Sequence, residues 1–146
     1  MSGDRRAWLK RFIAAWHARD LAGVGALLAP GFRYQAATVQ ADSIEALFAM
    51  ARIIWAATPD EAVELLDVIV EDDAMAVEVR TLATHTGDLL FGGIVIPASG
   101  RALDIRSVWM MRFQGDKLLH WREYGSIKQW VEQMGATVTI TPGERP

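Results

Sequence analysis

Cysteine is missing from the chain altogether. That excludes disulfides and thiolate chemistry, and it fits a protein held in a reducing compartment. No apolar run approaches the length of a membrane span, so no membrane partner is expected. The segment Met1 to Lys10 is charged and lacks an apolar signal core, which leads to the expectation of a cytoplasmic location. Basic blocks are absent too: 15 Lys and Arg stand against 18 Asp and Glu, a formal charge of −3. Nucleic-acid binding has no support in that balance. No spacing of His, Asp and Glu reads as a metal site. No glycine-rich phosphate loop follows a strand, since Gly92-Gly93 sits in a loop without one. The expectation is a protein that works without metal or cofactor.

Apolar and aromatic surface is what the chain has in quantity. Hydrophobic residues make up 51% of its 146 residues, a globular composition and length suited to one domain, residues 1–146, with its own core. Six residues are tryptophan. Large aromatics in a small domain fill a core or line a pocket for a flat apolar ligand.

Periodicity orders the elements. Asp4 to Arg19 reads as an amphipathic helix with Trp8, Phe12 and Trp16 at helical spacing. Asp20 to Leu28 is a second short helix, stopped before Pro30, and Phe32 to Ala36 a short strand. Asp42 to Trp55 is a third helix, with Asp42 as N-cap and Glu45 three residues on. Glu61 to Glu71 and Met75 to Thr86 are strands about the turn Asp72-Asp73, and Val77, Val79, Thr81, Ala83 and His85 share a face of the second. Gly87 to Gly100 is a loop with an apolar middle, and Leu103 to Tyr124 a hairpin turning at Gly115-Asp116. Ser126 to Met134 is a short helix, and the tail from Thr137 to Pro146 a further short strand. Helices followed by long strands mean α+β. An antiparallel or mixed sheet must curl around the helices to bury its apolar face, and that leaves a pocket between them.

The hairpin carries the candidate chemistry. Leu103, Ile105, Ser107, Trp109, Met111 and Phe113 share one face of its first strand; Leu119, Trp121 and Glu123 share one face of its second. Glu123 is a carboxylate on an apolar row, which costs free energy unless it is paired, solvated or protonated. Such a residue is a candidate acid/base; the alternative is a strand end emerging into water, or a Glu paired with an arginine. Tyr34 is a candidate donor to a developing oxyanion, or a half-buried strand tyrosine. His85 is a second acid/base, or it bonds a loop carbonyl near Gly87. Trp109, Met111, Trp16, Trp55, Trp121 and Phe91 are candidates to line a pocket for a small apolar, polycyclic ligand, with core packing the alternative for the tryptophans. Arg106 and Arg122 share the outer face, where Asp104 can pair with them. His120, Arg122 and Tyr124 beside Val108 and Met110 make that face mixed in character, as interfaces are, so a homodimer is expected through it.

Four local motifs occur in order: Thr58-Pro59-Asp60; Thr84-His85-Thr86-Gly87-Asp88; Ile96-Pro97-Ala98-Ser99-Gly100-Arg101; and Gly115-Asp116-Lys117-Leu118 with His120-Trp121 and Gln133-Met134-Gly135. Together they resemble the SnoaL-like polyketide cyclases of the nuclear-transport-factor-2-like superfamily, over nearly the whole chain. The resemblance implies a cone-shaped, strongly curved sheet closed at one end by helices. It also implies dimers or larger assemblies, and ring closure by cofactor-free intramolecular aldol condensation. It places the acid/base carboxylate at Glu123, where the cyclases have Asp. The cyclases' assisting His falls at Trp109 and their pocket-lining Asn at Tyr34, and the loop Phe91 to Val95 is longer than usual. Trp121-Arg122-Glu123-Tyr124 also resembles the Trp-Arg-Asp-Tyr of limonene-type epoxide hydrolases, whose Asp-Arg-Asp trio orients a water; Arg80-Thr81-Leu82 has Leu82 in the second acid's place. A non-catalytic ligand-binding member of the same fold is a further reading. Glu123 discriminates, because an enzyme needs it inward beside a polar partner.

Overall fold

A computed structural model of the chain describes residues 4–91 and 93–146, with Phe91 described by its backbone alone. In chain order the elements are α1 (Arg5–His17), α2 (Leu21–Gly25), β1 (Leu28–Gln35), β2 (Gln40–Ala41), α3 (Ile44–Ala57), β3 (Ala62–Glu71), β4 (Ala74–Thr84), β5 (Leu89–Phe91), β6 (Ile94–Ile96), β7 (Ala102–Gln114), β8 (Lys117–Tyr124) and α4 (Ile127–Gln133). Six strands form one curved, mixed sheet in the order β2-β1-β8-β7-β4-β3; β1 and β8 run parallel and the other neighbours antiparallel. The fold is α+β, as its element order predicts. No helix among the described residues is long and apolar enough to cross a membrane.

The N-terminal helix forms because its donors are capped and its apolar stripe is buried. The Asp4 carboxylate accepts the Arg6 and Ala7 N–H groups, which would otherwise be orphans of the first turn. Trp8, Leu9, Phe12 and Trp16 are all buried and pack against the inner face of the sheet. The Phe12 ring meets Trp121 edge-on at 5.4 Å and Trp109 at 6.1 Å. Buried Arg5 fastens this helix to two hairpin turns. Its guanidinium donates to the Asp72 carbonyl at 3.0 Å and the Gly115 carbonyl at 2.8 Å, and lies over the Phe113 ring.

Several expectations are corrected. The N-cap of α3 is Ser43, whose hydroxyl accepts the Ala46 N–H at 3.1 Å, while Asp42 pairs with Arg33. β1 begins at Leu28 rather than Phe32 and runs through Pro30 and Gly31 where its pairing with β8 is interrupted, a place where a missing N–H costs no ladder bond. The region read as a loop from Gly87 to Gly100 contains a two-stranded hairpin, Leu89 opposite Ile96 and Leu90 opposite Val95. The tail after Gly135 adds no strand; Pro142 and Pro146 have no N–H to donate to a ladder. On β8, Phe113 pairs with Leu118 but Arg112 with His120, so Leu119 is an extra, bulged residue. The inward row is therefore Leu118, Trp121 and Glu123, with Leu118 fully buried.

Candidate active site

Three neighbouring strands bring one acid and two hydroxyls together on the inner face. Glu123 lies near the end of β8, opposite Trp109 of β7, and Trp121 two residues earlier is the partner of Tyr34 on β1. Ser107 lies two residues before Trp109 on the same face. The Tyr34 hydroxyl donates to Glu123 Oε1 at 2.9 Å and the Ser107 hydroxyl to Oε2 at 2.9 Å. Tyr34 and Ser107 are buried and Glu123 is half-buried. Burial, then the charge and hydrogen bond of Glu123, then the charge of Glu61 hold the Tyr34 phenol proton well above the usual tyrosine range. Tyr34 is thus a donor and not a base.

These three groups line a cavity of about 450 Å³ whose remaining wall is mostly apolar. Ala36, Ala37 and Val39 line it from the β1–β2 turn, Met50 and Ile54 from α3, Leu89, Ile94 and Ile96 from the β5–β6 hairpin, and Ile127, Trp130, Val131 and Met134 from α4 and its end. The volume lies in the range of small-ligand sites, and a few polar groups in an apolar wall are what such sites use to orient a ligand.

The structure places the other expected residues elsewhere. Trp16, Trp109, Met111 and Trp121 are core residues, at most 5% exposed, and do not line the cavity. Trp109, Met111 and Trp121 face the same side of the sheet as Glu123, but α1, which carries Trp16, covers their stretch of it. Trp55 also stands off the cavity, packed against Trp16 at 4.9 Å beneath the Arg19 guanidinium. The Phe91 side chain lies outside the described residues. His85 is fully buried and fastens a loop: ring Nδ1 bonds the Ser99 hydroxyl at 2.8 Å, the backbone N–H donates to the Arg101 carbonyl, and the backbone carbonyl accepts from the Ser99 and Gly100 N–H groups. It bonds Ser99 rather than a carbonyl near Gly87, and it is not on the cavity wall. Gly87 instead packs on the end of α3, where any side chain would strike the Ala56 carbonyl. Arg80 points outward and forks onto Asp104 at 2.8 and 2.7 Å, with Glu64 at 3.7 Å. Asp104 thus pairs with Arg80 on β4, not with Arg106 or Arg122, because the strand pairing puts Arg80 within reach of its carboxylate.

Three relevant residues escape sequence reasoning. Ser107 carried a usable signal: a small polar residue alone on the buried row of β7, the same anomaly that marks Glu123. Trp130 sits on a helix whose apolar side has no distinguishing pattern. Glu61 precedes β3 and reads as its first residue, yet it is 7% exposed and accepts the Trp16 indole N–H at 2.9 Å. Burial pushes its carboxyl up, against the Trp16 hydrogen bond and the Arg19 charge; the Glu123 charge pushes it up further. No group of three or more His, Cys, Asp or Glu able to hold a metal occurs among the described residues.

The profile of the SnoaL-like polyketide cyclase family matches residues 6–128. None of the curated proteins matches the chain in sequence. Among solved structures, a protein of Jannaschia sp. CCS1 described as a SnoaL-like polyketide cyclase superposes with a TM-score of 0.79, covering 91% of this chain and 92% of that one at 21% identity. TsrD of Streptomyces laurentii gives a TM-score of 0.76, 91% and 96% coverage and 24% identity. An LEH-like epoxide hydrolase of M. tuberculosis gives 0.67, 88% and 86% coverage and 11% identity. At these identities the solved structures speak to the fold.

Proposed function

The chain belongs to the SnoaL-like polyketide cyclase family, and from that premise we propose that it is a cofactor-independent acid/base enzyme acting on an apolar, polycyclic carbonyl compound. One observation carries the reading: the Glu123 carboxylate stands on the wall of an apolar cavity, bonded by two hydroxyls at 2.9 Å each. In the proposed reaction Glu123 takes a proton from the carbon α to a substrate carbonyl, leaving an enolate. Its own charge is thereby lost, and with it most of its hold on Tyr34 and Ser107. Their hydroxyls then donate to the enolate oxygen, where charge has developed. The enolate carbon attacks a second carbonyl of the same molecule and forms the ring bond. The resulting alkoxide takes the proton back from Glu123, which returns to its starting state.

Trp109 occupies the place of the cyclases' His and is spent in the core; Ser107 supplies the polar contact beside the carboxylate instead. The neighbouring reaction, addition of water to an epoxide, needs an arginine beside the base, and Arg80 is held on the outer face by Asp104. The test of the proposed reaction is exchange of α-protons for solvent deuterium in a panel of polycyclic ketones. Exchange by the wild type and its loss in Glu123→Gln supports the enzyme. Binding without exchange in either protein moves the balance to a ligand-binding member of the fold. The reading extends to a homodimer formed through the outer face of the sheet, with Val108, Met110 and the exposed Tyr124 at its centre.

A further inference from the structure

Behind the strands that carry Tyr34 and Glu123, on the outer face, basic side chains stand in a row. Arg33 of β1 is the register partner of His120 of β8, and His120 is the partner of Arg112 of β7. Register partners project to the same face, so the three side chains lie side by side. Arg122 is two residues further along β8 on that face, beside Gln35 of β1, which itself neighbours Gln40 of β2. Together they surround a polar recess of about 570 Å³.

Folding does not account for this row. Like charges gathered on one patch of a sheet repel one another, and the chain as a whole carries a charge of −3. Asp42 is the acid lining the recess, against the three arginines Arg33, Arg112 and Arg122. It pairs with Arg33 at 3.2 Å, and Asp73, outside the recess, pairs with Arg112 at 3.6 Å; all four side chains are at least half exposed. Exposed pairs of this kind contribute little and are readily displaced. Arg122 adds an independent sign: its Nε is buried and has no hydrogen-bond partner among the described residues. A buried donor without an acceptor is costly, and the residue that carries it lines the recess beside further donors.

We propose that this recess, which lies beside the Val108, Met110 and Tyr124 centre of the proposed dimer face and includes none of those three residues, binds a phosphate group, free or carried on a larger molecule. A phosphate presents three strong acceptor oxygens and close to two negative charges. Guanidinium forks bind such oxygens two at a time, and the Gln35 and Gln40 amides supply further donors. A carboxylate, with two oxygens and one charge, would leave part of the row unsatisfied.

The experiment titrates inorganic phosphate into the protein at constant ionic strength and follows the imidazole proton resonances by NMR. The chain has three histidines, His17, His85 and His120, so each reports separately. A saturable shift at His120 alone is expected. Arg33→Gln and Arg112→Gln should each weaken the apparent affinity about tenfold, the loss of a charged hydrogen bond, whereas Lys10→Gln on the opposite side should not. Both arginines are exposed, so the variants keep their fold, which circular dichroism checks. Phenyl phosphate in a second arm separates the sources: tighter binding than inorganic phosphate identifies a phosphate carried on a larger ligand, and equal or weaker binding a free one. A shift linear in phosphate, reproduced by sodium chloride, matched by acetate, or unaltered in both Arg→Gln variants overturns the site.

Discussion

At the residue scale, the proposed chemistry rests on how three side chains share charge. Glu123→Gln keeps the shape of the carboxylate and removes its capacity to move a proton. A loss of roughly 10²–10⁴ in rate is expected, with folding retained, because positioned acid/base groups contribute that much. Rate and melting temperature measured on one preparation decide it; an unchanged rate with a lowered melting point makes Glu123 a structural residue. Tyr34→Phe removes one donor to the enolate oxygen of the proposed reaction, so a fall of roughly 10² in kcat is expected with substrate affinity little changed. Glu61 gives a prediction that needs no substrate. Burial raises its carboxyl above the ordinary Glu range, so the folded state holds that proton more tightly than the unfolded chain does. Its contribution is fully present below the unfolded value and is lost as pH rises through the raised folded one. The wild type should therefore lose stability relative to Glu61→Gln as pH climbs above the ordinary Glu range. Asp60 and Asp104, whose carboxyls are held low, act in the opposite direction in both proteins and cancel in the comparison. Parallel stability curves for the two proteins would show that Glu61 does not carry this linkage.

At the scale of elements, each tryptophan's role follows from what covers its part of the sheet. Trp109 and Trp121 lie beneath α1, and Trp130 projects from α4 into the cavity wall. Trp109→Ala should cost about 3–5 kcal/mol, as other large aromatic truncations in cores do. Trp130→Ala should leave stability within about 1 kcal/mol, because a half-buried wall residue leaves no sealed void. The order reverses for binding of a flat polycyclic ketone, which Trp130→Ala should weaken through loss of aromatic contact. Chemical denaturation and ligand titration of both variants separate the two roles. Arg5 is a second element-scale case. Its guanidinium closes the turns at Asp72 and Gly115 against α1, so Arg5→Ala should lower stability by about 2–3 kcal/mol. A lowered urea midpoint with an unchanged slope is the expected result.

At the scale of the molecule, the sheet has two faces of different character. The inner face divides between a core under α1 and a cavity under α3, α4 and the β5–β6 hairpin. The outer face carries Val108, Met110 and Tyr124 along β7 and β8. Sedimentation at micromolar concentration should give about twice the 16.2 kDa protomer mass, and Tyr124→Glu should shift the protein to the protomer by placing a charge at the centre of the proposed interface. A protomer mass for the wild type would remove the dimer from the proposal.

Local period and order were legible in the sequence. Alternation along β7 placed Leu103, Ile105, Ser107, Trp109, Met111 and Phe113 on one face, and all six are buried. The same parity turned Glu123 inward, and the ordered motifs pointed to the family. Side-chain alternation is a property of a single strand, so a single stretch of chain determines it. What remained hidden depends on pairs far apart in the chain. Tyr34 reaches Glu123 across 89 positions, through a parallel β1–β8 pairing that neither strand's own pattern specifies. The bulge at Leu119 shifts the inward row by one residue, and no local pattern announces it. Whether a tryptophan is core or wall, and whether Glu61 is buried, depends on which helix covers that patch of sheet. A cavity is the space left where distant elements fail to meet, so only the tertiary structure could set its walls.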